Sequence, residues 1–200
     1  MDALTHRHEL QPRCRAVACA RFLRRVPWGG RILRIAEGAA PNPLEAFDSR
    51  YRADVRGLWD DLGDALGQYN GVWLADGLVR CGASRLSYAL ARATGCLRPG
   101  GVLYVAFLRG PEAHEAGAGV ANPRAMTREA LQGLVARLPG VSLAETWMTP
   151  APVRRLFGAG PAWLHALCTV DAAATAHQPT RIWQLAGWAP PPAYAARACA

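Results

Sequence analysis

The sequence predicts an α/β fold, in which a doubly wound and mostly parallel sheet ends in an antiparallel hairpin. Short apolar runs alternate with amphipathic helical segments along the chain, which is the pattern of strand–helix–strand crossovers. Residues 101–108, GVLYVAFL, are continuously apolar, as expected for a strand that is covered on both faces. Strand candidates at 141–149 and 162–170 follow one another closely, and they predict the hairpin.

The first element is an amphipathic helix over residues 10–26, which stops at Pro27 and the glycine pair after Trp28. Helical spacing places Val17, Ala20 and Leu23 on its apolar stripe. The other predicted elements are strands at 31–36, 51–59 and 71–76, helices at 84–97 and 127–138, and a tight turn at 98–101 that ends the first of these helices.

Composition supports one folded domain. The 200 residues are 51% hydrophobic and 19% charged, which is typical of a globular protein rather than a disordered one. We expect an N-terminal helical segment at 1–28, a domain at 29–170 and an Ala/Pro-rich tail at 171–200.

The net charge of +8 comes from 23 basic residues against 15 acidic ones, and every basic residue is Arg. The lack of Lys, with abundant Ala, Gly and Pro, indicates a bias toward GC-rich codons, so the excess charge is a weak sign of phosphate contact. Nucleic acid is therefore the less favoured partner. Arg21, Arg24 and Arg25 are the first place to look for such a contact.

The six cysteines are scattered without a Cys-x-x-Cys pair, and His residues do not stand at zinc-ligand spacing, so no metal site is predicted. Apolar runs stay well below the roughly 20 residues that span a bilayer. The first residues also carry charges where a signal peptide has an apolar core. These features predict a bacterial-type cytoplasmic protein that does not contact membranes.

Residues 69–110, which include YNGVWLADGL and LRPGGVLYVAFL, resemble the second half of class I S-adenosylmethionine-dependent methyltransferases, especially those that act on small molecules. With the approach to the first strand and the closing hairpin, the resemblance covers about residues 10–170. It implies a Rossmann-like fold, S-adenosylmethionine as cofactor and a small molecule as substrate. The methyl group would then move by proximity and in-line orientation of donor and acceptor.

In this family, a glycine-rich turn after the first strand lets the backbone approach the cofactor. The matching stretch here is ILRIAEGAAP. Arg34 stands where the family has Asp, Ala36 and Ala40 replace two of its glycines, and Gly38 is retained. The resemblance gives Glu37 and Gly38 as cofactor-binding residues in a degenerate motif.

The interval before Val55 is short. Residues 41–54 leave room for one crossover with its helix, whereas the family has two, so the first half of the fold is predicted to be truncated. The resemblance implies that the strand whose final acid holds the ribose of the cofactor is missing, or that residues 46–55, AFDSRYRADV, are its remnant. Glu45, Asp48 and Asp54 are candidate substitutes for that acid.

Two further acids complete the predicted cofactor site. Asp61, or its neighbour Asp60, corresponds to the acid that meets the adenine in the family, although a solvated turn explains this pair as well. Asp76 ends a predicted strand and is the best-placed carboxylate for cofactor or substrate, although an Asp that caps a loop is an equal explanation.

The sequence leaves three alternative functions open. The first is a small-molecule methyltransferase. The second is a catalytically inactive methyltransferase-like module, in which a protein partner or a second copy covers an exposed sheet edge. The third is an Arg-rich nucleic-acid binder. The sequence assigns no catalytic residue, since His114 with Glu112 and Glu115 is better explained as an exposed loop.

Overall fold

The computed structural model describes residues 12–36, 51–75, 78, 83–109, 126–150 and 162–171. The helices are α1 (Pro12–Leu23), α2 (Ala83–Gly95) and α3 (Arg128–Val135), with a 3-10 turn at Gly63–Ala65. The strands are β1 (Arg31–Ile35), β2 (Arg52–Arg56), β3 (Tyr69–Leu74), β4 (Leu97–Arg109), β5 (Val141–Pro150) and β6 (Ala162–Val170).

The six strands form one sheet in the order β2-β1-β3-β4-β6-β5. β2, β1, β3 and β4 pair in parallel, whereas β6 pairs antiparallel with both β4 and β5. This arrangement confirms the predicted α/β, Rossmann-like fold with a C-terminal antiparallel hairpin. In the described part of the chain, no helix is long and apolar enough to cross a membrane.

The sheet has a hydrophobic core on each face, because neighbouring residues of a strand point to opposite sides. On the α1 face, α1 packs on residues that include Ile32, Trp73 and Tyr104. On the opposite face, α2 and α3 pack on residues that include Leu33 and Leu103. The continuously apolar β4 supplies residues to both cores, as predicted for a strand covered on both faces.

The predicted helix at the N-terminus exists, and Leu23 of its predicted apolar stripe packs against the core, but the burial predicted for Val17 and Ala20 was wrong. Val17 is 48% exposed and Ala20 is exposed, whereas Phe22 is fully buried. The ring of Phe22 meets Trp73 edge-on at 5.5 Å between centroids, and it lies where a Cβ on Gly71 would be 2.6 Å from its Cζ. This aromatic anchor, rather than the smaller side chains, sets which face of α1 is buried.

The predicted turn at 98–101 lies within β4 rather than between the helix and the strand. β4 already begins at Leu97, which pairs with Tyr69, and the next registered pair joins Val102 to Gly71. The extra residues on β4 form an irregularity within the strand, and Gly100 adopts a φ of 75° there. The glycine is needed because this left-handed conformation disfavours a side chain.

The weakly predicted strand at 51–59 is β2, and it lies directly beside β1. Residues 57–68, which connect β2 to β3, contain the 3-10 turn but no α-helix. The prediction that the strand beside the first one is missing was therefore wrong, because this position is filled by a five-residue strand, which is the sheet's edge in the described residues. Residues 37–50, where the predicted single crossover would lie, are outside the described residues.

Candidate functional site

The parallel strands β1, β2 and β3 all end at one edge of the sheet, which we call the carboxyl edge and define by Ile35, Arg56 and Leu74. Ligands of open α/β sheets bind beyond this edge, so the candidate site is here. The amide of Ala36 donates to the carbonyl of Arg56 at 3.0 Å, which keeps β1 and β2 joined past their last registered pair.

Of the four predicted cofactor-binding residues, Glu37, Gly38 and Asp76 lie outside the described residues. Asp61 is described, and it lies in the loop that follows β2. Its side chain is exposed, and its Oδ1 accepts a hydrogen bond from the amide of Gly63 at 2.8 Å, at the start of the 3-10 turn. Asp61 therefore caps a turn, and its role toward a cofactor stays a prediction.

Some of the other candidate acids also lie outside the described residues, whereas Asp60 is described. Glu45 and Asp48 are outside the described residues, as is the loop with Glu112, His114 and Glu115. Asp60 accepts a hydrogen bond from the amide of Gly57 through Oδ2 at 2.5 Å. A Cβ on Gly57 would lie 2.8 Å from the Asp60 carboxylate, so only glycine allows this approach.

Arg92 of α2 fixes the same loop from the other side, and sequence reasoning missed it. The side chain is 94% buried, and Nη1 donates to the carbonyl of Leu58 at 2.8 Å while Nη2 donates to the carbonyl of Asp60. The only sequence signal was an Arg inside an Ala-rich helix, which does not indicate its partners. Arg92 thus holds the backbone that follows β2.

This loop itself carries an exposed aromatic side chain. Trp59 is 46% exposed, and its indole stacks on Tyr88 of α2 with ring planes 7° apart and centroids 6.2 Å apart. The guanidinium of Arg85 lies over the indole at 5.6 Å, and that of Arg92 lies over Tyr88 at 5.5 Å. Cations thus contact both rings, and the stack holds α2 against the loop.

Arg34 is 2% exposed and stands near the end of β1. It pairs in register with Trp73 of β3 and Val55 of β2, so it lies on the α1 face with them. The residue that replaces the family's first acid is therefore a cation inside the sheet. Such burial is costly unless the charge is compensated.

Asp54, a candidate substitute for the ribose acid, is engaged elsewhere. Its Oδ2 accepts hydrogen bonds from the hydroxyl of Tyr69 at 2.7 Å and from Nη2 of Arg31 at 2.9 Å. The Tyr69 hydrogen bond first, and then Arg31, lower the pKa of Asp54. Burial and Asp54 together raise the pKa of Tyr69 to about 12. Because Arg31 and Tyr69 begin their strands, this cluster points to the opposite edge from the candidate site.

The arginines of α1 do not form one free basic face. Arg21 donates to Glu145 of β5, and its guanidinium lies over the indole of Trp147 at 4.7 Å from the ring centroid. Arg25 approaches the same carboxylate at 3.6 Å, whereas Arg24 is exposed. Two of the three residues singled out for nucleic-acid contact thus pair with an acid of this chain.

Comparison with known proteins identifies solved structures of similar fold. No protein-family model and no curated protein sequence matches the chain. The chain is similar to 1,6-didemethyltoxoflavin-N1-methyltransferase of Burkholderia thailandensis with bound 1,6-didemethyltoxoflavin and S-adenosylhomocysteine, with 14% identity, 78% of each chain covered and a TM-score of 0.54. It is similar to magnesium protoporphyrin IX methyltransferase from Synechocystis PCC 6803 with bound S-adenosylhomocysteine, with 11% identity, 84% of each chain covered and a TM-score of 0.53.

A third similar structure is the cyclase SpnF, with 13% identity, 80% of each chain covered and a TM-score of 0.54. Together these similarities show the class I S-adenosylmethionine-dependent methyltransferase fold, which confirms the resemblance at the level of the fold. Because a cyclase is among them, the fold by itself does not identify the reaction.

Proposed function

We propose that this chain is a methyltransferase-like protein that handles a small molecule and in which S-adenosylmethionine binding is weakened or lost. The similar solved structures include two methyltransferases with bound S-adenosylhomocysteine, so the fold is one that accommodates this type of cofactor. The reduced affinity is inferred from residues at the carboxyl edge of this chain.

The observation that carries the proposal is the end of β2. In the family, the strand beside the first strand ends in an acid that holds the ribose hydroxyls. Here that neighbour is β2, and it ends in Arg56, whose guanidinium pairs with Asp64 at 3.4 Å. A cation does not accept hydrogen bonds from hydroxyls, so it cannot take over the function of the acid.

The described carboxylates near this strand end do not replace it. Asp60 and Asp61 each accept a hydrogen bond from a backbone amide of their own loop, and Asp54 binds Tyr69 and Arg31. Because these contacts occupy part of the accepting capacity of each carboxylate, we expect the described part of the edge to hold the ribose of S-adenosylmethionine less well than the family's acid does.

Isothermal titration of the full chain with S-adenosylhomocysteine tests the proposal. We expect a Kd weaker than about 1 mM, which corresponds to less than about 4 kcal/mol of binding free energy. A micromolar Kd would overturn the loss of binding and favour an active small-molecule methyltransferase.

Two variants at one position sharpen this test. Arg56→Asp restores a carboxylate at the end of β2 and is expected to tighten binding about tenfold, as one charge-assisted hydrogen bond can provide. Arg56→Gln removes the cation without adding a carboxylate, so it is the matched control and is expected to change binding less. Equal affinities of the two variants would show that the missing acid is not the cause.

The alternative is a catalytically inactive module that binds a protein partner through β2. Its supporting observation is that Val55 of this edge strand is 45% exposed, between Arg52 and Arg56, which are also exposed. Unpaired strand edges can add a further strand, but flanking charges oppose this. Light scattering distinguishes the cases: a dimer that Val55→Asp dissociates supports the module, and a monomer removes a second copy as its partner.

We also propose a cytoplasmic location. Cys14, Cys19, Cys96 and Cys168 are free thiols, which suits a reducing compartment. Burial raises the pKa values of Cys96 and Cys168 to about 12, so both are protonated and unreactive at neutral pH.

A further inference from the structure

Exposed arginines surround an exposed tryptophan at the edge of the sheet where the parallel strands begin, opposite the candidate site. The hydroxyl of Tyr51 donates to the carbonyl of Leu23 at 3.3 Å, which holds the start of β2 against the end of α1. We call the exposed residues of this region the basic edge: Arg24 and Arg25 directly after α1, Trp28 in the turn that follows, and Arg31 and Arg52 at the starts of β1 and β2.

The arginines of the basic edge stand on both sides of Trp28. Ile32 belongs to the core under α1, so its neighbour Arg31 points to the opposite face of the sheet, together with Arg52, its partner in register. The other two arginines follow α1 directly, on the face that this helix covers. The turn that carries Trp28 joins the two faces across the edge.

Trp28 stands on a tight turn whose backbone is fixed. The amide of Gly30 donates to the carbonyl of Pro27 at 2.9 Å, and Gly29 adopts a φ of 72°, which is typical of the third position of a type II turn. A Cβ on Gly30 would lie 2.8 Å from the carbonyl oxygen of Pro27, so the turn is closely folded. Trp28 is 74% exposed on this turn, more than any other large hydrophobic side chain in the described part of the chain.

The positive charge of the basic edge is only partly neutralised. Arg31 contacts Asp54 at 2.9 Å, and Arg25 approaches Glu145 at 3.6 Å. The other two arginines are exposed, and neither forms an ion pair with another described residue. Composition made nucleic acid the less favoured partner because it shows how many arginines the chain has. It does not show that four of them surround one exposed indole.

Guanidinium groups on both sides of an indole match one ligand chemistry. A guanidinium binds a phosphate through two parallel N–H groups, and an indole face stacks on nucleobases. Single-stranded nucleic acid presents both groups, whereas a duplex keeps its bases stacked inside. A membrane surface also carries phosphates, but binding there depends on an apolar face. The basic edge does not have one, because Val26, the large apolar residue nearest to Trp28 in sequence, is buried.

We propose that the basic edge binds single-stranded nucleic acid, with one base stacked on Trp28 and the flanking phosphates bound by the arginines on either side. The amide of Arg31 donates to Oδ1 of Asn70 at 3.1 Å, which fixes the end of the turn on the sheet. The surface therefore needs little ordering when the strand binds. Because it lies opposite the candidate cofactor site, this function is independent of the proposed one.

Fluorescence anisotropy of a labelled single-stranded DNA of about 12 nucleotides, titrated with the full chain, tests the stacking contact. Trp28→Ala should raise the Kd about tenfold, the effect of losing one stacked base. Trp59→Ala is the matched control, because it removes an exposed indole outside the basic edge and should leave the Kd unchanged. A duplex of the same sequence should bind Trp28→Ala and the natural chain equally.

The dependence of the Kd on salt tests the phosphate contacts. With about three phosphates bound, the Kd should rise about twentyfold between about 50 and about 200 mM salt. Arg24→Gln combined with Arg52→Gln removes one arginine from each side of Trp28, and it should lower the slope of log Kd against log salt by about 1.4. Arg85→Gln combined with Arg128→Gln removes the same charge from exposed positions of α2 and α3, so it should leave the slope unchanged.

The proposal is overturned if the single strand does not bind at about 50 mM salt, if Trp28→Ala and Trp59→Ala bind it equally, or if the two double variants give the same slope. Sedimentation with phosphatidylserine vesicles tests the membrane. Pelleting that Trp28→Ala abolishes, without binding of the oligonucleotide, would assign the basic edge to a membrane surface and overturn the proposal. S-adenosylhomocysteine is absent from these experiments, so their failure leaves the titration of the proposed function unaffected.

Discussion

The two halves of the sheet are built differently. β4, β5 and β6 have 13, 10 and 9 residues, and β6 is buried along nearly its whole length. β1 and β2 have five residues each, and β2 is half-buried or exposed throughout. The predicted cofactor edge belongs to the short half. The difference teaches that β2, which ends at this edge, contributes less to the core than β6 does, so a change at the end of β2 should affect the fold less than a change in β4 or β6.

The largest expected effect is a loss of stability in the long half. Phe107 of β4 is 99% buried, so Phe107→Ala removes an aromatic side chain from the core and should cost about 3–5 kcal/mol. The matched change in the short half is Val55→Ala, which should stay within about 0.5 kcal/mol because Val55 is exposed. Urea unfolding followed by circular dichroism gives both values. Similar losses for the two variants would contradict the division of the sheet.

The next effect is a dependence of stability on pH through His165. The unfolded imidazole takes up a proton near pH 6.5, whereas the pKa of the folded residue is about 4 because of burial and Arg21. The free energy of unfolding therefore includes the full contribution of His165 above pH 6.5. It falls by up to about 3 kcal/mol as the pH falls toward 4. Urea unfolding at pH 7, 5.5 and 4 measures this slope.

His165→Gln is the control for the titration. It keeps hydrogen-bonding capacity near Tyr104 and Thr149 but has no titratable group, so its slope between pH 6.5 and 4 should be smaller than that of the natural chain. If both chains lose stability equally over this range, His165 does not cause the pH dependence.

A smaller effect is expected from Arg92, which ties α2 to the loop after β2. Arg92→Ala leaves the buried carbonyl of Leu58 and that of Asp60 without their donor, which should cost about 2 kcal/mol. Amide hydrogen exchange should speed up in residues 57–63 and stay unchanged in β6. Arg85→Ala is the control, since Arg85 is exposed and contacts Trp59 only across its ring face. Equal acceleration in β6 would mean that Arg92 acts on the whole fold.

The sequence predicted most strands because their signals are local. The apolar run 101–108 lies within β4, and the candidates at 141–149 and 162–170 match β5 and β6. The buried face of α1 was not predictable in the same way, because Phe22 is placed by contacts with Trp73 and Gly71 more than 40 residues away. Helical spacing alone does not show which of several small apolar residues will meet such a partner.

The candidate site was predictable only as a location. Placing it beyond the ends of the parallel strands follows from the fold class, and Asp61 lies in the loop that follows β2. The sequence did not show that Asp61 binds the amide of Gly63, or that Arg92 holds a loop 32 to 34 residues away. These contacts depend on how α2 packs beside the loop. Glu37, Gly38 and Asp76 stay predictions.

The smallest expected effect on the free energy of unfolding concerns Asp54 of the short half. It occurs at a lower pH than the effect of His165 in the long half. The pKa of Asp54 is lowered by Tyr69 and Arg31, so its contribution is present above the ordinary carboxyl value of 3.8 and is lost below it, outside the range of His165. Asp54→Asn should cost less than about 1 kcal/mol because the carboxylate is 44% exposed. Tyr69 provides the direct readout: its pKa, about 12, should fall in the variant and stay above 10, since burial is the larger cause. Titration of tyrosinate absorbance measures this shift, and Tyr69→Phe identifies the signal. An unchanged pKa of Tyr69 in Asp54→Asn would exclude the contact with Asp54.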